Sequence, residues 1–275
     1  MRSERPRQKA RSQRRSLSFT LCLPFCACCL PLCGCAGLWD DLTSRDFSVK
    51  AAFVKPDPLL VLKDSHDGDK RAKALRALHE PKQAGGTDED QDAMVKILMA
   101  AAATEKQPLC RLAAIEVLAH FKDPRAVEGL TTAFYNAGNF ASDTATVIRC
   151  QALTALGQTG NPAAVELLVR VVREPPAEGP ETDRQQALDV RIAAARALGN
   201  FNHYQATEAL VDVLKTGKDA ALRDRAYDSL LASTGQKLPP DAQAWEDFLH
   251  QPGGKDVAAG KKPKLIEWLS FNASE

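Results

Sequence analysis

An eight-residue pattern that returns five times is the feature of this chain that most restricts its fold. The pattern is Arg, two variable residues, Ala, an apolar residue, a variable residue, a small residue or Val, and Leu. Successive arginines lie 40, 38, 42 and 32 residues apart, the length of one two-helix unit in a helical repeat protein. Such a unit cannot bury its apolar face alone, so neighbouring copies must stack. The copies span residues 71–78, 111–118, 149–156, 191–198 and 223–230.

A second recurring motif predicts the first helix of each unit. Ala is followed by a residue that is usually apolar and by another apolar residue three positions later, so one face of a helix becomes apolar. Helix starts are marked by Asp or Asn before Pro, as in Asp123-Pro124 and Asn161-Pro162, and helix ends by glycines. The motif copies are Ala93-Met94 with Ile97, Ala126-Val127 with Leu130, Ala164-Val165 with Leu168, and Ala206-Thr207 with Leu210; the glycines are Gly157, Gly160, Gly199 and Gly235.

These motifs together resemble the short HEAT-like repeats found in phycobilin lyases. The first helix of one unit reads Asp123-Pro124-Arg125-Ala126-Val127-Glu128-Gly129-Leu130, and its second helix reads Ile148-Arg149-Cys150-Gln151-Ala152-Leu153-Thr154-Ala155-Leu156-Gly157. The resemblance covers about residues 57–235. It implies an all-α fold, an α-solenoid of about five HEAT-like helical hairpins.

The resemblance also implies a role for the repeat arginines. In HEAT-like folds the equivalent arginine pairs with an acidic residue of the preceding turn and braces neighbouring units. Asp67 and Asp219 lie four residues before their arginines, and Asp189 lies close to its own. We therefore expect a structural ladder rather than a row of ligand-binding groups, formed by Arg71, Arg111, Arg149, Arg191 and Arg223.

Charge and motif content speak against nucleic-acid binding and catalysis. Residues 1–34 contain seven basic residues and one acidic residue, whereas residues 35–275 contain 29 basic and 34 acidic residues, a net charge of −5. A nucleic-acid-binding surface normally carries a basic stripe. We find no Ser-His-Asp signature, phosphate loop or metal-ligand spacing, and His79-Glu80 is the only His-Glu pair. We predict no enzymatic activity, no cofactor, no metal and no small-molecule substrate.

The first 34 residues have the layout of a secretory signal peptide, with a basic start followed by an uncharged apolar stretch over Leu17–Leu32. Pro24 and Pro31 interrupt this stretch, which favours a cleaved signal over a permanent membrane span. Its end, Leu32-Cys33-Gly34-Cys35, resembles the bacterial lipoprotein signal, although Cys33 replaces the usual Ala or Ser. The resemblance implies cleavage before Cys35 and lipid attachment to its sulfur. Ala36, in place of Asp, favours the outer membrane.

Four segments are predicted from these features. Residues 1–34 form the signal peptide, 35–56 a tether, 57–249 the repeat domain with a C-terminal capping helix, and 250–275 a flexible tail with a short amphipathic run, Leu265–Phe271. Trp245 and Phe248 are expected to cover the last unit, since solenoid ends need caps. Long loops are expected at 136–144 and 174–185, either for binding or without function.

The favoured interpretation is a non-catalytic protein-binding scaffold, exported and lipid-anchored at Cys35 in the bacterial cell envelope, facing the periplasm. The stacked second helices would bind a protein partner that the sequence does not identify. The alternative is a cytoplasmic enzyme-accessory or lyase-type HEAT-repeat subunit. Candidate interaction residues are Lys73, Arg76, Glu116, Gln151, Arg196 and Asp228.

Overall fold

The structure is a computed structural model that describes residues 57–251, 253–258 and 260. The predicted signal peptide, the lipidation site at Cys35, the tether and the amphipathic run of the tail lie outside the described residues. Within the described ranges the chain forms twelve α-helices and no strand. The predicted all-α class is therefore confirmed.

Ten of the helices pair into five consecutive hairpins, which we number 1 to 5. The remaining two follow them at the C-terminal end. Short 3₁₀ turns lie at Pro81–Ala84, Ala137–Asn139 and Pro162–Ala164. The helices are α1 (Pro58–Asp64), α2 (Gly68–Arg76), α3 (Asp88–Thr104), α4 (Pro108–Leu118), α5 (Arg125–Asn136), α6 (Ser142–Thr159), α7 (Val165–Val172), α8 (Glu181–Leu198), α9 (Tyr204–Thr216), α10 (Ala220–Thr234), α11 (Ala242–His250) and α12 (Gly254–Ala258).

The hairpins stack in chain order, as a solenoid requires. The second helices α2, α4, α6, α8 and α10 each pack on the next, while α3 packs on α5 and α7 on α9 in the layer of first helices. Between the layers lies one continuous apolar core. In every hairpin, the Ala three positions after the repeat arginine and the Leu seven positions after it are buried. The predicted solenoid of about five hairpins is confirmed.

The capping helix is α11, which packs on α9. Trp245 and Phe248 are buried beneath it, with ring centroids 6.0 Å apart in an edge-to-face arrangement. The sequence assigned the following residues to a flexible tail, but Gly254–Ala258 form helix α12 against α9, α10 and α11. The tail prediction is wrong there because Ala258 is fully buried, and its carbonyl lies 3.5 Å from the Thr207 hydroxyl.

Two further sequence predictions are wrong in register or extent. In α3 the expected Ile97 is exposed, and the buried stripe includes Val95, Leu98 and Ala102 at helical spacing. The expected long loops are shorter, because α6 begins at Ser142 and α8 at Glu181. Both helices have 18 residues, so they extend well before their repeat arginines, whereas α2, α4 and α10 begin three residues before theirs.

Of the predicted terminal glycines, Gly157 has a different role. It lies inside α6, and a Cβ added there would be 2.9 Å from the Ala197 Cβ of α8. Gly160, with φ of 64°, is the residue that ends α6. Gly157 therefore allows two neighbouring second helices to approach closely.

Candidate binding surface

The repeat arginines are buried or half-buried, and Arg71 also pairs with Glu105 of the next hairpin. Four of the five donate to main-chain carbonyls at or near the C-terminal end of the first helix. Those carbonyls lack partners inside the helix, and a cation is favoured at that end of the helix dipole. The pairs are Arg71 Nη1 with Leu62 O (2.6 Å), Arg111 Nε with Glu105 O (2.8 Å), Arg191 Nε with Val172 O (3.3 Å) and Arg223 Nη1 with Gly217 O (2.8 Å).

The expected acidic partners of these arginines are wrong. Asp67 and Asp219 cap the N-termini of α2 and α10, where each accepts hydrogen bonds from main-chain N–H groups. Asp189 accepts from Gln185 Nε2 at 2.9 Å. A helix N-terminus offers free N–H donors closer to these carboxylates than the guanidinium groups, which the first-helix carbonyls attract.

Burial of Arg111 and Arg191 accompanies these carbonyl contacts. Removal from water lowers the pKa of both guanidinium groups below the ordinary value. For Arg111, burial is the only cause of the shift. Arg149 differs from the others, since it makes no hydrogen bond or ion pair with the described residues; its Nη2 approaches Gly138.

The outward face of the second helices is the surface that remains for a partner. At 100° per residue, the positions two before, one after and five after the repeat arginine fall on one side of the helix, opposite the buried Ala and Leu. The sequence-predicted interaction residues lie on or beside this side. Lys73, Arg76, Glu116, Arg196 and Asp228 are exposed, and Gln151 is half-buried.

Three of these residues already form ion pairs within the chain. Arg76 Nε donates to Glu116 Oε2 at 2.9 Å, across the boundary between hairpins 1 and 2. Asp228 lies 3.5 Å from the Arg225 guanidinium on its own helix. Exposed pairs of this kind contribute little stability, so they remain accessible to a partner.

Sequence reasoning missed the apolar residues on the same face. In hairpins 2 to 4 these residues lie one, two or three positions from the repeat arginine, and they follow one another across α4, α6 and α8. Leu109 is 39% exposed and Val147 is 54% exposed, and the others are half-buried. We call this set the apolar strip: Leu109, Leu112, Val147, Cys150, Leu188 and Ile192. The sequence did contain this signal, because the middle copies have apolar residues at positions where the first and last copies have Asp69 and Asp224.

Charged residues flank the strip. Burial first and the Asp189 carboxylate second raise the pKa of the Cys150 thiol, with Arg196 acting in the opposite direction, so that the pKa is about 11. Both charges therefore lie close to the thiol. Cys150 and Cys110 are free thiols. Exposed carboxylates on the same side of α6, α8 and α10 form what we call the acidic rim: Asp143, Asp189, Asp224 and Asp228.

On the opposite face, which the first helices form, polar side-chain pairs connect successive hairpins. Each pair joins one first helix to the next, and the last joins α9 to the capping helix. The polar groups of these residues are therefore already paired within the chain. The pairs are Arg125 with Asp92, Arg170 Nη1 with the Tyr135 hydroxyl (3.0 Å), Arg173 Nη2 with Asp212 Oδ2 (2.5 Å), and Lys215 Nζ with Glu246 Oε1 (2.6 Å).

A buried polar cluster joins hairpins 1, 2 and 3 at one edge. The Glu80 carboxylate accepts from the main-chain N–H groups of Lys122 (2.8 Å) and Asp123 (3.1 Å), and from Gln83 Nε2 (2.5 Å) and Gln91 Nε2 (2.9 Å). These bonds occupy both carboxylate oxygens, so Glu80 is committed to structure.

Two shallow grooves lie near this edge. One, of about 260 Å³, is lined by residues that include Arg76, His79, Glu116 and His120; the other, of about 360 Å³, lies beside α1. Among residues 57–251, 253–258 and 260 there is no group of three or more His, Cys, Asp or Glu side chains placed to hold a metal ion. No helix in the described part of the chain is long and apolar enough to cross a bilayer.

Stacked two-helix units with one shared core define a helical repeat protein of the α-solenoid class. The family described as PBS lyase HEAT-like repeat matches this sequence twice, over residues 148–174 and 190–216. Each match runs from the second helix of one hairpin through the first helix of the next. The two matches support a HEAT-like repeat architecture for these hairpins. No curated protein matches the sequence.

Proposed function

We propose that this protein is a non-catalytic scaffold that binds a protein partner through the outward face of its second helices. The observation that carries the proposal is the apolar strip, which is flanked by charge and lies on the face left free by the ion pairs of the first helices. HEAT-like repeats are commonly protein-interaction modules.

The composition of the strip suits a protein interface. Interface energy concentrates in a few apolar anchors surrounded by polar contacts that exclude water. Leu109 and Val147 are exposed on adjacent second helices, and the half-buried Leu112, Cys150 and Ile192 continue the apolar surface between and beyond them. Contiguous exposed apolar surface is uncommon on monomeric proteins and often marks an interaction site.

Binding through this face is tested by charge substitution with matched controls. Leu109→Asp and Val147→Asp should each abolish co-purification of the partner from membrane extracts. Ile97→Asp and Tyr135→Asp change residues of nearly equal exposure on first helices (37% and 51%) and should retain the partner. Equal capture by all four variants, each shown to be folded by circular dichroism, would eliminate this face as the binding surface.

The proposal includes export and anchoring. We infer that the chain is cleaved before Cys35, acylated on that sulfur and held in the cell envelope facing the periplasm, in the outer membrane rather than the inner. The support is the basic and apolar leader, the Leu32–Cys35 motif and the absence of Asp at position 36. A single acyl chain anchors marginally, so stable attachment needs more than one.

Replacing Cys35 with Ser tests the anchor. The variant should move from the membrane to the soluble fraction and lose incorporation of labelled palmitate, whereas Cys33→Ser should retain both the membrane location and the label. Intact-mass measurement of the native protein reports cleavage and acylation together. An uncleaved, unacylated mass would overturn this part of the proposal and leave the binding surface untouched.

The description of the matching family favours one alternative, a cytoplasmic lyase-type or enzyme-accessory subunit. It requires a bound chromophore or an enzyme partner in the cytoplasm. The same intact-mass measurement separates the two, because a covalent chromophore adds its own mass and visible absorbance to an uncleaved chain.

A further inference from the structure

We propose that the outward face of the second helices binds the same face of a second copy of this chain, in a dimer with two-fold symmetry. The inference rests on the proposed function, since it names the partner of that surface. Its evidence is the order of charges along the stack of hairpins, which is complementary to its own reverse.

The position five residues after each repeat arginine forms a row of charges across the second helices. From hairpin 1 to hairpin 5 this row is positive, negative, uncharged, positive and negative, and its four charged residues are exposed. Reading the row from the other end reverses the sign at every charged position and keeps the uncharged residue at the centre. The members of the row are Arg76, Glu116, Thr154, Arg196 and Asp228.

A two-fold axis brings this row against its own reverse. In a symmetric dimer the same patch is used by both copies, so it must be self-complementary. With the axis in the interface and parallel to α6, helix α2 faces α10 of the second copy and α4 faces its α8. Each repeat position keeps its height, because stacked second helices run in the same direction. Arg76 then meets Asp228, and Glu116 meets Arg196, twice in each dimer.

The charges within one copy fit this arrangement. Arg76 Nε donates to Glu116 Oε2 at 2.9 Å, so opposite charges already lie side by side on α2 and α4. In the dimer Asp228 and Arg196 of the second copy present the reverse order above them, and the four groups alternate in sign. Among the described residues Arg196 forms no ion pair, and Glu116 of the second copy would supply one.

The apolar strip lies at the centre of the same face and pairs with itself. Leu112 on α4 meets Ile192 on α8 of the second copy, and Cys150 on α6 meets its own counterpart. At the positions two before, one after and five after the repeat arginine, this arrangement brings no like charges together. Like charges opposed across an interface are strongly unfavourable, so the sequence is free of the conflict that most surfaces would have with their own copy.

The size of the face is adequate for a dimer. Five helices with axes about 9 Å apart and lengths of about 15 Å present an area of about 700 Å². A standard stable interface buries about 800 Å² on each partner.

The test exchanges charges between two variants of the full-length chain. Glu116→Arg opposes two cations at each of the two symmetric contacts, and Arg196→Glu opposes two anions there. Each variant alone should raise the dissociation constant of the dimer about a hundredfold. An equimolar mixture should dimerise like the wild type, because each contact between the two different chains again joins a cation to an anion. Sedimentation equilibrium measures the dissociation constants.

Glu128→Arg is the matched control, since it makes the same charge reversal at an exposed position on the first helix α5. It should leave the dissociation constant unchanged, and circular dichroism verifies the fold of every variant. A wild type that is still monomeric at about 100 μM, far above the Kd expected of such an interface, would overturn the proposal. Single variants that dimerise like the wild type, or a mixture that stays monomeric, would overturn it equally.

Failure here is distinguishable from failure of the proposed function. Sedimentation uses this chain alone, whereas partner capture is judged on Leu109→Asp and Val147→Asp. A monomeric wild type whose Leu109→Asp and Val147→Asp variants still lose a co-purifying protein rejects only the second copy as the occupant.

Discussion

Arg111 donates from Nη1 to the main-chain carbonyl of Asn136, 3.0 Å away, across the boundary between hairpins 2 and 3. The same guanidinium donates from Nε to the Glu105 carbonyl and lies 4.7 Å above the centre of the Phe140 ring. One side chain, only 3% exposed, thus satisfies the C-terminal ends of two first helices at once. Arg111 therefore connects two neighbouring hairpins as well as the two helices of its own hairpin.

Replacing Arg111 with Ala should destabilise the fold by about 3 kcal/mol, since it leaves two partly buried carbonyls without this donor and removes the cation from both helix ends. Arg149→Ala is the matched control at the same repeat position, and it should cost about 0.5 kcal/mol because that side chain makes no hydrogen bond with the described residues. Urea unfolding measures both. Equal losses would show that the arginine acts only through its apolar stem.

Gly157→Ala should destabilise the protein by about 2 kcal/mol, although Ala is the better helix former by about 1 kcal/mol. The new Cβ would lie 2.9 Å from the Ala197 Cβ and 3.0 Å from its Cα, so α6 and α8 would have to separate. Gly138→Ala, whose Cβ would meet only Arg149 Nη2 at 3.5 Å, should be nearly neutral. Thermal unfolding of the two variants compares them, and a stabilised Gly157 variant would contradict the close approach.

These two residues show where sequence reasoning succeeds and where it stops. The repeat positions of Ala and Leu predict the second helices correctly because burial at three and seven residues from Arg is a local periodicity. The Asn136 carbonyl becomes a partner of Arg111 only because two hairpins pack together, and the spacing of residues in the sequence does not predict that contact. The sequence assigned Ile97 to the core because apolar residues occur around more of the circumference of α3. The buried residue is Leu98, one position further along.

Glu80→Gln should cost about 2 kcal/mol. All four groups that bond to this carboxylate are N–H donors, so an amide would place its own NH₂ against one of them and leave a buried donor without an acceptor. Glu128→Gln, at an exposed position in the first turn of α5, should cost less than about 0.5 kcal/mol. Guanidinium unfolding is the measurement, and equal effects would mean that the cluster tolerates the lost charge.

Acid should weaken the junction of hairpins 1 to 3 only below about pH 4. Arg125 above all holds the pKa of Asp123 well below its usual range, and Lys96 and Arg125 lower that of Asp92. A lowered folded-state pKa contributes stability that is present above the unfolded value, about 3.9, and is lost as pH falls towards the folded value.

The free energy of unfolding, measured from pH 7 to pH 2, should therefore be steeper below pH 4 in the wild type than in Asp123→Asn. That variant should also be less stable at pH 7, because Asn binds Arg125 without charge. Asp69→Asn, an exposed first-turn residue of α2, serves as the control. If the free energy of unfolding falls equally below pH 4 in the wild type and in Asp123→Asn, Asp123 does not contribute to the acid sensitivity.

Trp245→Ala should be the most damaging single change at the C-terminal end. The indole is fully buried, it packs edge-to-face on Phe248, and its Nε1 donates to the Pro239 carbonyl at 3.0 Å. Truncation of a buried Trp costs about 4 kcal/mol. Because each hairpin packs mainly on the hairpins next to it, the loss of the cap should expose α9 and α10 first. Hydrogen exchange should therefore accelerate in 204–234 well before it does in 108–159. Trp245→Phe, which retains most of the apolar contact but loses the hydrogen bond, should restore most of the protection. Uniform acceleration along the whole array would instead show that the five hairpins unfold as one unit and that the cap protects no particular end.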